Sequence, residues 1–324
     1  MSSKKKKICV FLGKVILVTL LIVLFIRGFF VESFTISSSQ MEASLSSGDK
    51  VFINKTAYGI RLPVTLLSVP FRFDSIFGGR SYSSLIQLPY KRLLESTVTR
   101  NDIVLFNNPV EVDKPLDKRG LFLSRCVALP GDTIEMRQGI FFINDNPYIS
   151  SPNLIEEYVY AKADDEIITE TLVSLGFSTR NRREIQDTVH IHLSRFENYI
   201  LKESLPEPQV INNPVSDIPD YELIVPYRGK ITELDEQNIA VYEQIIMQEQ
   251  KGRAVSVVDG KLLIDGTFQK YYTFTDNYYW MISDNADNLS DSRSIGFVPH
   301  SSIIGKASYI WQSRNEILQF SKVK

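Results

Sequence analysis

The sequence predicts a mainly β protein: an antiparallel β core with an inserted α+β region and one N-terminal transmembrane helix. Three observations predict it. Residues 8–26 are apolar apart from Gly13, Lys14 and Thr19, and they follow four consecutive lysines. Short apolar runs closed by Gly, Pro, Asn and Asp recur at 102–106, 121–129, 139–143, 254–258 and 262–264, and β-prone runs follow at 271–282 and 303–311. Between these groups, residues 150–251 are polar, charged and more helical in texture.

Composition narrows the function classes. Of 324 residues, 44% are hydrophobic, enough for a real core. The net charge is −2, and Lys4, Lys5, Lys6, Lys7 and Lys14 precede every acid; the rest of the chain holds 31 basic and 38 acidic residues, about −7. No basic surplus remains for nucleic acid. Cys9 lies in the apolar run and Cys126 far downstream, so no internal disulfide framework is expected. No Cys-x-x-Cys occurs, and His190, His192 and His300 lack Cys or acidic partners at ligand spacing, so no metal or cofactor is expected. His190 and His192 alternate in a polar stretch and read as plain surface histidines.

Taken in order, residues 8–27 form a helix whose apolar part is roughly 28 Å long, the thickness of a bilayer's hydrocarbon. Lys14 can snorkel. The lysine cluster sets residues 1–7 in the cytoplasm and the remainder outside the inner membrane. The exit, Arg27-Gly28-Phe29-Phe30, carries no Ala-x-Ala-like cleavage site, so the helix reads as an uncleaved single-pass anchor. Residues 34–59 pack small hydroxyl residues around Met41, then a Gly-Asp turn, the apolar run 51–53 and a Tyr-Gly stop. Residues 62–73 are apolar with two prolines, either a loop packed on the core or a segment dipping into the outer leaflet, and 75–84 is loop-like. The turn Asn144-Asp145-Asn146-Pro147 signals a hairpin, and 139–145 (GIFFIND) looks like 260–266 (GKLLIDG). In the polar region, Thr232 with Asp235 suggests a capping box for a helix to about Gln250, and 180–201 suggests another helix. The expected divisions are 28–149 and 252–324 for the core and 150–251 for the insert.

Four separated segments resemble the boxes of bacterial type I signal peptidases, in order. The anchor is followed by 36–59, similar to that family's Pro-Ser-x-Ser-Met-x-Pro-Thr-Leu box. Residues 102–109 resemble Gly-Asp-Ile-Val-x-Phe, with Asn101 in place of the glycine. LSRCVALPGD at 123–132 resembles Lys-Arg-x-x-Gly-x-Pro-Gly-Asp, and SDNADNLSDSRSIGFVP at 283–299 resembles Gly-Asp-Asn-Arg-x-x-Ser-x-Asp-Ser-Arg.

The resemblance implies a coiled antiparallel β core with an inserted domain, and Ser/Lys protease chemistry without a cofactor. It also implies where that chemistry departs. The family's nucleophile precedes the methionine, and here that residue is Gln40, an amide. The family's lysine base precedes the box arginine, and here Ser124 precedes Arg125. The serine that bonds that lysine falls at Leu289. Ser38 stands at the oxyanion-hole position beside Met41, and Asp284, Asn285, Asp291, Ser292 and Arg293 keep the last box, with an Asp291–Arg293 pair expected.

Three functions are open from the sequence. One is a catalytically inactive relative that binds exported polypeptides or signal peptides at the membrane, or partners an active homologue. Another is an active protease with Ser39 as nucleophile, which needs a local bulge, and a base from elsewhere, with Lys50, Lys55, Lys114 and Lys118 available. A third is a structural envelope protein using the fold alone.

Overall fold

The computed structural model describes residues 3–42, 44–65, 75–76, 79–80, 82, 86–137, 140–148, 152–205, 211, 220–285, 290–313 and 320–323. Leu289 and most of 66–85 lie outside them, so the expectations placed there have no structural counterpart.

Helix α1 (Ser3–Phe29) opens the chain, and its segment Val10–Phe29 has mean hydropathy 2.5 with no part buried in the protein. This is a helix long and apolar enough to cross a membrane. Its end is lashed to the β domain. Lys55 Nζ donates to the carbonyls of Arg27 (2.9 Å) and Gly28 (3.3 Å) and pairs with buried Glu32 at 2.8 Å. A cation on the last helical carbonyls complements the helix dipole.

The main sheet is antiparallel throughout. Its strands are β1 (Val31–Thr35), β2 (Lys50–Asn54), β3 (Ile103–Asn107), β4 (Leu121–Ala128), β5 (Tyr278–Ile282), β6 (Val298–Pro299), β7 (Ile303–Gln312) and β8 (Ser321–Lys322). Their spatial order is β1-β2-β7-β3-β4-β5-β6, with β8 on β7. The runs 102–106, 121–129 and 303–311 form β3, β4 and β7 within a residue of the expected ends, 271–282 divides into Tyr271–Thr273 and β5, and 139–143, 254–258 and 262–264 lie in smaller sheets. β4 is buried continuously from Leu123 to Ala128, because its two faces belong to different cores. Leu123 packs with Met41, Leu45 and Leu105, Cys126 with Val104 and Met281, and Val127 with Trp280 and Phe297. A strand covered on both faces reads as an unbroken apolar run.

The two look-alike hairpins form as expected. Asn144 and Asp145, and Asp265 and Gly266, all have positive φ, the geometry of a tight primed turn. Helices α2 (Asp165–Ser174) and α3 (Arg195–Ser204) pack with strand Thr188–Ser194 around a separate core that includes Tyr158, Leu172, Ile191 and Leu201. Helix α4 (Glu236–Glu249) instead shares the core of Trp280 and Phe297.

Three expectations in this region are corrected. Residues 180–201 are not one helix: Arg180–Ile185 and Thr188–Ser194 are strands, and α3 starts only at Arg195. The alternation Val189, Ile191, Leu193, all buried, is a period of two, and the capping box Ser194…Glu197 marks the real helix start. Thr232 does not cap α4, because it lies in strand Ile231–Glu233, paired with Tyr271–Thr273. The cap is reciprocal between Asp235 and Asn238, at 2.8 and 3.0 Å. His190 and His192 are not surface residues. His190 Nδ1 bonds Glu157 at 2.9 Å and His192 is buried, since strand Thr188–Ser194 is the middle of a three-stranded sheet.

Candidate functional site

After β1 the chain turns through a short 3-10 helix, Ser39–Met41, which packs against β4. The turn follows the anchor so closely that Ser38 lies within roughly 30 Å of the end of α1. Met41 and Gln40 point inward and are buried, while Ser39 is exposed. The expected strand bulge is therefore not what presents Ser39; a 3-10 turn does, spacing side chains by a third of a turn.

Gln40 is held at both ends of its amide. Its Oε1 accepts from Ser38 Oγ at 3.1 Å, and its Nε2 donates to the Ser290 carbonyl at 2.8 Å. Asn285 fastens the same turn, its backbone N–H to the Gln40 carbonyl and its Nδ2 to the Ser39 carbonyl, both at 3.1 Å. Ser38, Ser39 and Gln40 are thus joined to the segment after β5.

Behind the turn lies a buried ion pair. Arg125 Nε donates to Asp284 Oδ1 at 2.8 Å and Nη2 to Oδ2 at 2.6 Å. Arg125 Nη1 donates to the Asn101 carbonyl at 3.0 Å, and Ser44 Oγ donates to Asp284 Oδ2 at 2.5 Å. Burial pushes the guanidinium pKa down, but the bonds to Asp284 and its charge outweigh this and leave it above the ordinary value. Asn101 has φ +69, a conformation that glycine takes freely and asparagine tolerates best after it. The sequence reading missed the Arg125–Asp284 pair, Ser44 and the Ser290 carbonyl. The pair joins residues 159 apart in sequence, which no local pattern reports.

Ser124, on β4 opposite Val104, is fully buried and its hydroxyl finds no hydrogen-bond partner among the described residues. Asp291 accepts from the backbone N–H of Ser283 (2.7 Å) and of Arg293 (3.0 Å), and from the Arg293 guanidinium at 2.7 Å, the expected pair. Ser292 Oγ accepts from the Met281 N–H at 2.9 Å. These bonds tie helix α5 (Ser292–Ile295) to the end of β5. The four lysines considered as bases are engaged elsewhere. Lys55 is at the end of α1, Lys114 pairs with Glu111 at 2.6 Å, Lys50 lies over Trp311, and Lys118 over Tyr82. Ser39 Oγ makes no hydrogen bond among the described residues. Nor do those residues include a group of three or more His, Cys, Asp or Glu arranged to hold a metal.

The family described as signal peptidase, peptidase S26, matches residues 9–207 and 225–312, spanning the anchor, the 3-10 turn, β4 and the loop after β5. The chain belongs to that family. Its relatives in the peptidase S26 family include signal peptidase I of Buchnera aphidicola subsp. Schizaphis graminum, 26% identical over 302 residues, which cover 91% of this chain and 72% of that protein. Signal peptidase I of Pseudomonas aeruginosa is 24% identical over 319 residues, covering 95% and 74%. A crystal structure of a signal peptidase I from Enterococcus faecalis aligns with 65% of this chain and 97% of its own, at 14% identity and a TM-score of 0.26.

Proposed function

We propose that this chain is a membrane-anchored S26 member that binds exported, signal-peptide-bearing polypeptides without cleaving them. The observation that carries this reading is the Gln40 amide, buried and bonded on both sides, at the position the family resemblance gives to the nucleophile. An amide offers no hydroxyl to attack a carbonyl. Ser124, at the position of the base, supplies no amine, and among the described residues no cation bonds to it. The Ser38 hydroxyl, at the oxyanion position, is given to Gln40.

Binding is supported by the backbone. β4 pairs with β3 along Leu121 to Arg125, but β5 joins its other side only from Arg125 onward. Among the described residues the stretch 121–124 therefore has one edge without a strand partner, beside the Ser39–Met41 turn. An extended peptide can add there through main-chain bonds. Lys-rich residues 1–7 favour a cytoplasmic N-terminus, and the main domain outside the inner membrane. The division into 28–149, 150–251 and 252–324 is part of this proposal. The separate core around Ile191 supports an insert within 150–251, while α4 packs with Trp280 of the β core.

A second reading rests on the exposed Ser39, one residue from Gln40 and with a free hydroxyl. One experiment separates the two. The full chain in detergent is incubated with a preprotein whose signal peptide ends in Ala-x-Ala. We expect binding and no cleavage. Gln40→Ser or Ser124→Lys alone should restore almost nothing, because groups acting as a unit are not additive. The triple variant with Gln40→Ser, Ser124→Lys and Leu289→Ser should give weak cleavage. If the unaltered chain cuts and Ser39→Ala does not, Ser39 is the nucleophile and the binding-only reading fails.

A further inference from the structure

A cavity of about 870 Å³ lies between the C-terminal half of α4, the loop 110–116 and the segment 87–90, and shares no lining residue with the Gln40 turn. Its volume is in the range of ligand-binding clefts. Helix α4 turns one face to it through Gln244, Met247 and Gln248, spaced three and four apart. Leu88, Val110 and Val112 line the facing walls and are exposed, as is Met247, so a cluster of apolar side chains is left in contact with water.

The charges around it balance. Lys114 is held by Glu111 at 2.6 Å, and Asp113 and Lys251, both exposed, carry opposite signs. The described lining therefore selects no ion of either sign. Its other polar groups include two amides. Gln244 and Gln248 are half-buried, and neither side chain makes a hydrogen bond among the described residues. Each offers an acceptor and two donors. The partner that matches such a pair is itself uncharged, and offers a donor and an acceptor together. A polypeptide backbone does so at each residue. The spacing agrees. The two glutamines stand four residues apart on α4, about 6 Å along its axis. Alternate residues of an extended chain repeat at about 6.6 Å and turn their main-chain groups the same way. The difference is small enough for two long side chains to absorb.

We propose that this cavity binds an extended, uncharged stretch of polypeptide, with Gln244 and Gln248 bonded to alternate peptide units and Met247, Leu88 and Val112 receiving its apolar side chains. That the stretch belongs to an exported polypeptide rests on the function proposed above; the site itself does not.

The test uses the full chain in lipid nanodiscs, with methionine methyl groups labelled with carbon-13. Met247 is assigned by its loss in Met247→Leu, and Met41, in the Gln40 turn, reports that site separately. The probe is acetyl-Val-Ser-Val-Ser-Val-amide. The controls are the same peptide N-methylated throughout, which keeps the side chains and removes the main-chain donors, and 1-octanol, an apolar chain with no peptide unit. The probe should shift Met247 saturably. Gln244→Ala combined with Gln248→Ala should weaken that response about tenfold or more and leave whatever Met41 shows unchanged. The N-methylated peptide should bind more weakly by a similar factor, and octanol at the probe's concentration should not displace it. No saturable response of Met247 overturns the proposal. So does an equal response to the N-methylated peptide, or displacement by octanol, either of which would mean an apolar cavity only. A response of Met41 alone overturns it too, and leaves the Gln40 reading standing. The unaltered chain decides each of these, even if the double variant does not fold.

Discussion

Asp284→Asn should be among the most damaging conservative changes in this chain. Arg125 and Asp284 retain only 7% and 3% side-chain exposure and share two short bonds. The amide can keep one acceptor for Arg125 and for Ser44 but removes the charge that balances a buried guanidinium. Breaking a buried pair by removing one partner costs about 3–5 kcal/mol, and the retained bond puts Asp284→Asn near 3 kcal/mol. Arg125→Met, which leaves the carboxylate with Ser44 and no cation, should cost about 4 kcal/mol on the same scale. Combining Arg125→Met with Asp284→Asn removes both charges, and its cost should fall short of the single-variant sum by about 2 kcal/mol or more. The assay is urea unfolding in a nonionic detergent, in a Trp311→Phe background so that buried Trp280, paired with Ala128 on β4, reports alone. Added salt should change the loss little, since a buried pair is poorly screened. A loss for Asp284→Asn under about 1 kcal/mol, or one that salt abolishes, would refute the reasoning and mean that water reaches the pair.

Three further outcomes are expected. Burial, then the charges of Arg92 and Arg228, lowers the His300 pKa to about 3, so the native state holds it neutral. The unfolded state binds the proton first, so stability should be full above pH 6.5 and fall by about 2 kcal/mol by pH 5, and His300→Gln should flatten that slope; equal slopes would refute it. Ser124→Ala removes a buried hydroxyl with no partner among the described residues and should be neutral or stabilising by about 1 kcal/mol in thermal unfolding, whereas a clear loss would mean the hydroxyl is bonded. Protease added outside spheroplasts should digest the bulk of the chain beyond α1, and full protection would reverse the topology.

Much of this architecture is legible because its signals are local. The turns at Asn144-Asp145 and Asp265-Gly266 need positive φ, and the sequence places there the residues that tolerate it. The α3 start was equally local: Ser194 and Glu197 carry their own signature, masked by the charges of 180–187. What pattern could not supply was partnership across the chain. His192 looks polar and solvent-facing until a strand covers each side of it. Asn238 could not be chosen over Thr232 until Thr232 was committed to a strand with Tyr272. Around Gln40, the residue types were readable, but Ser290 enters through its carbonyl, which every residue carries.

The position of β7 has a consequence in time. It lies between β2 and β3, and among the described strands it is the one that joins the N-terminal hairpin to the middle of the sheet. Between Asn54 and Ile303 the ribosome adds roughly 250 residues, which at about 5–20 residues per second takes roughly 12–50 s. Throughout that interval the nascent hairpin holds the edge of β2 unclaimed, an invitation to mispairing. The Ser290 carbonyl emerges in the same late window, so the clasp on Gln40 closes only as the sheet does. Before then the turn carrying Ser38 to Met41 lacks the late residues that fasten it.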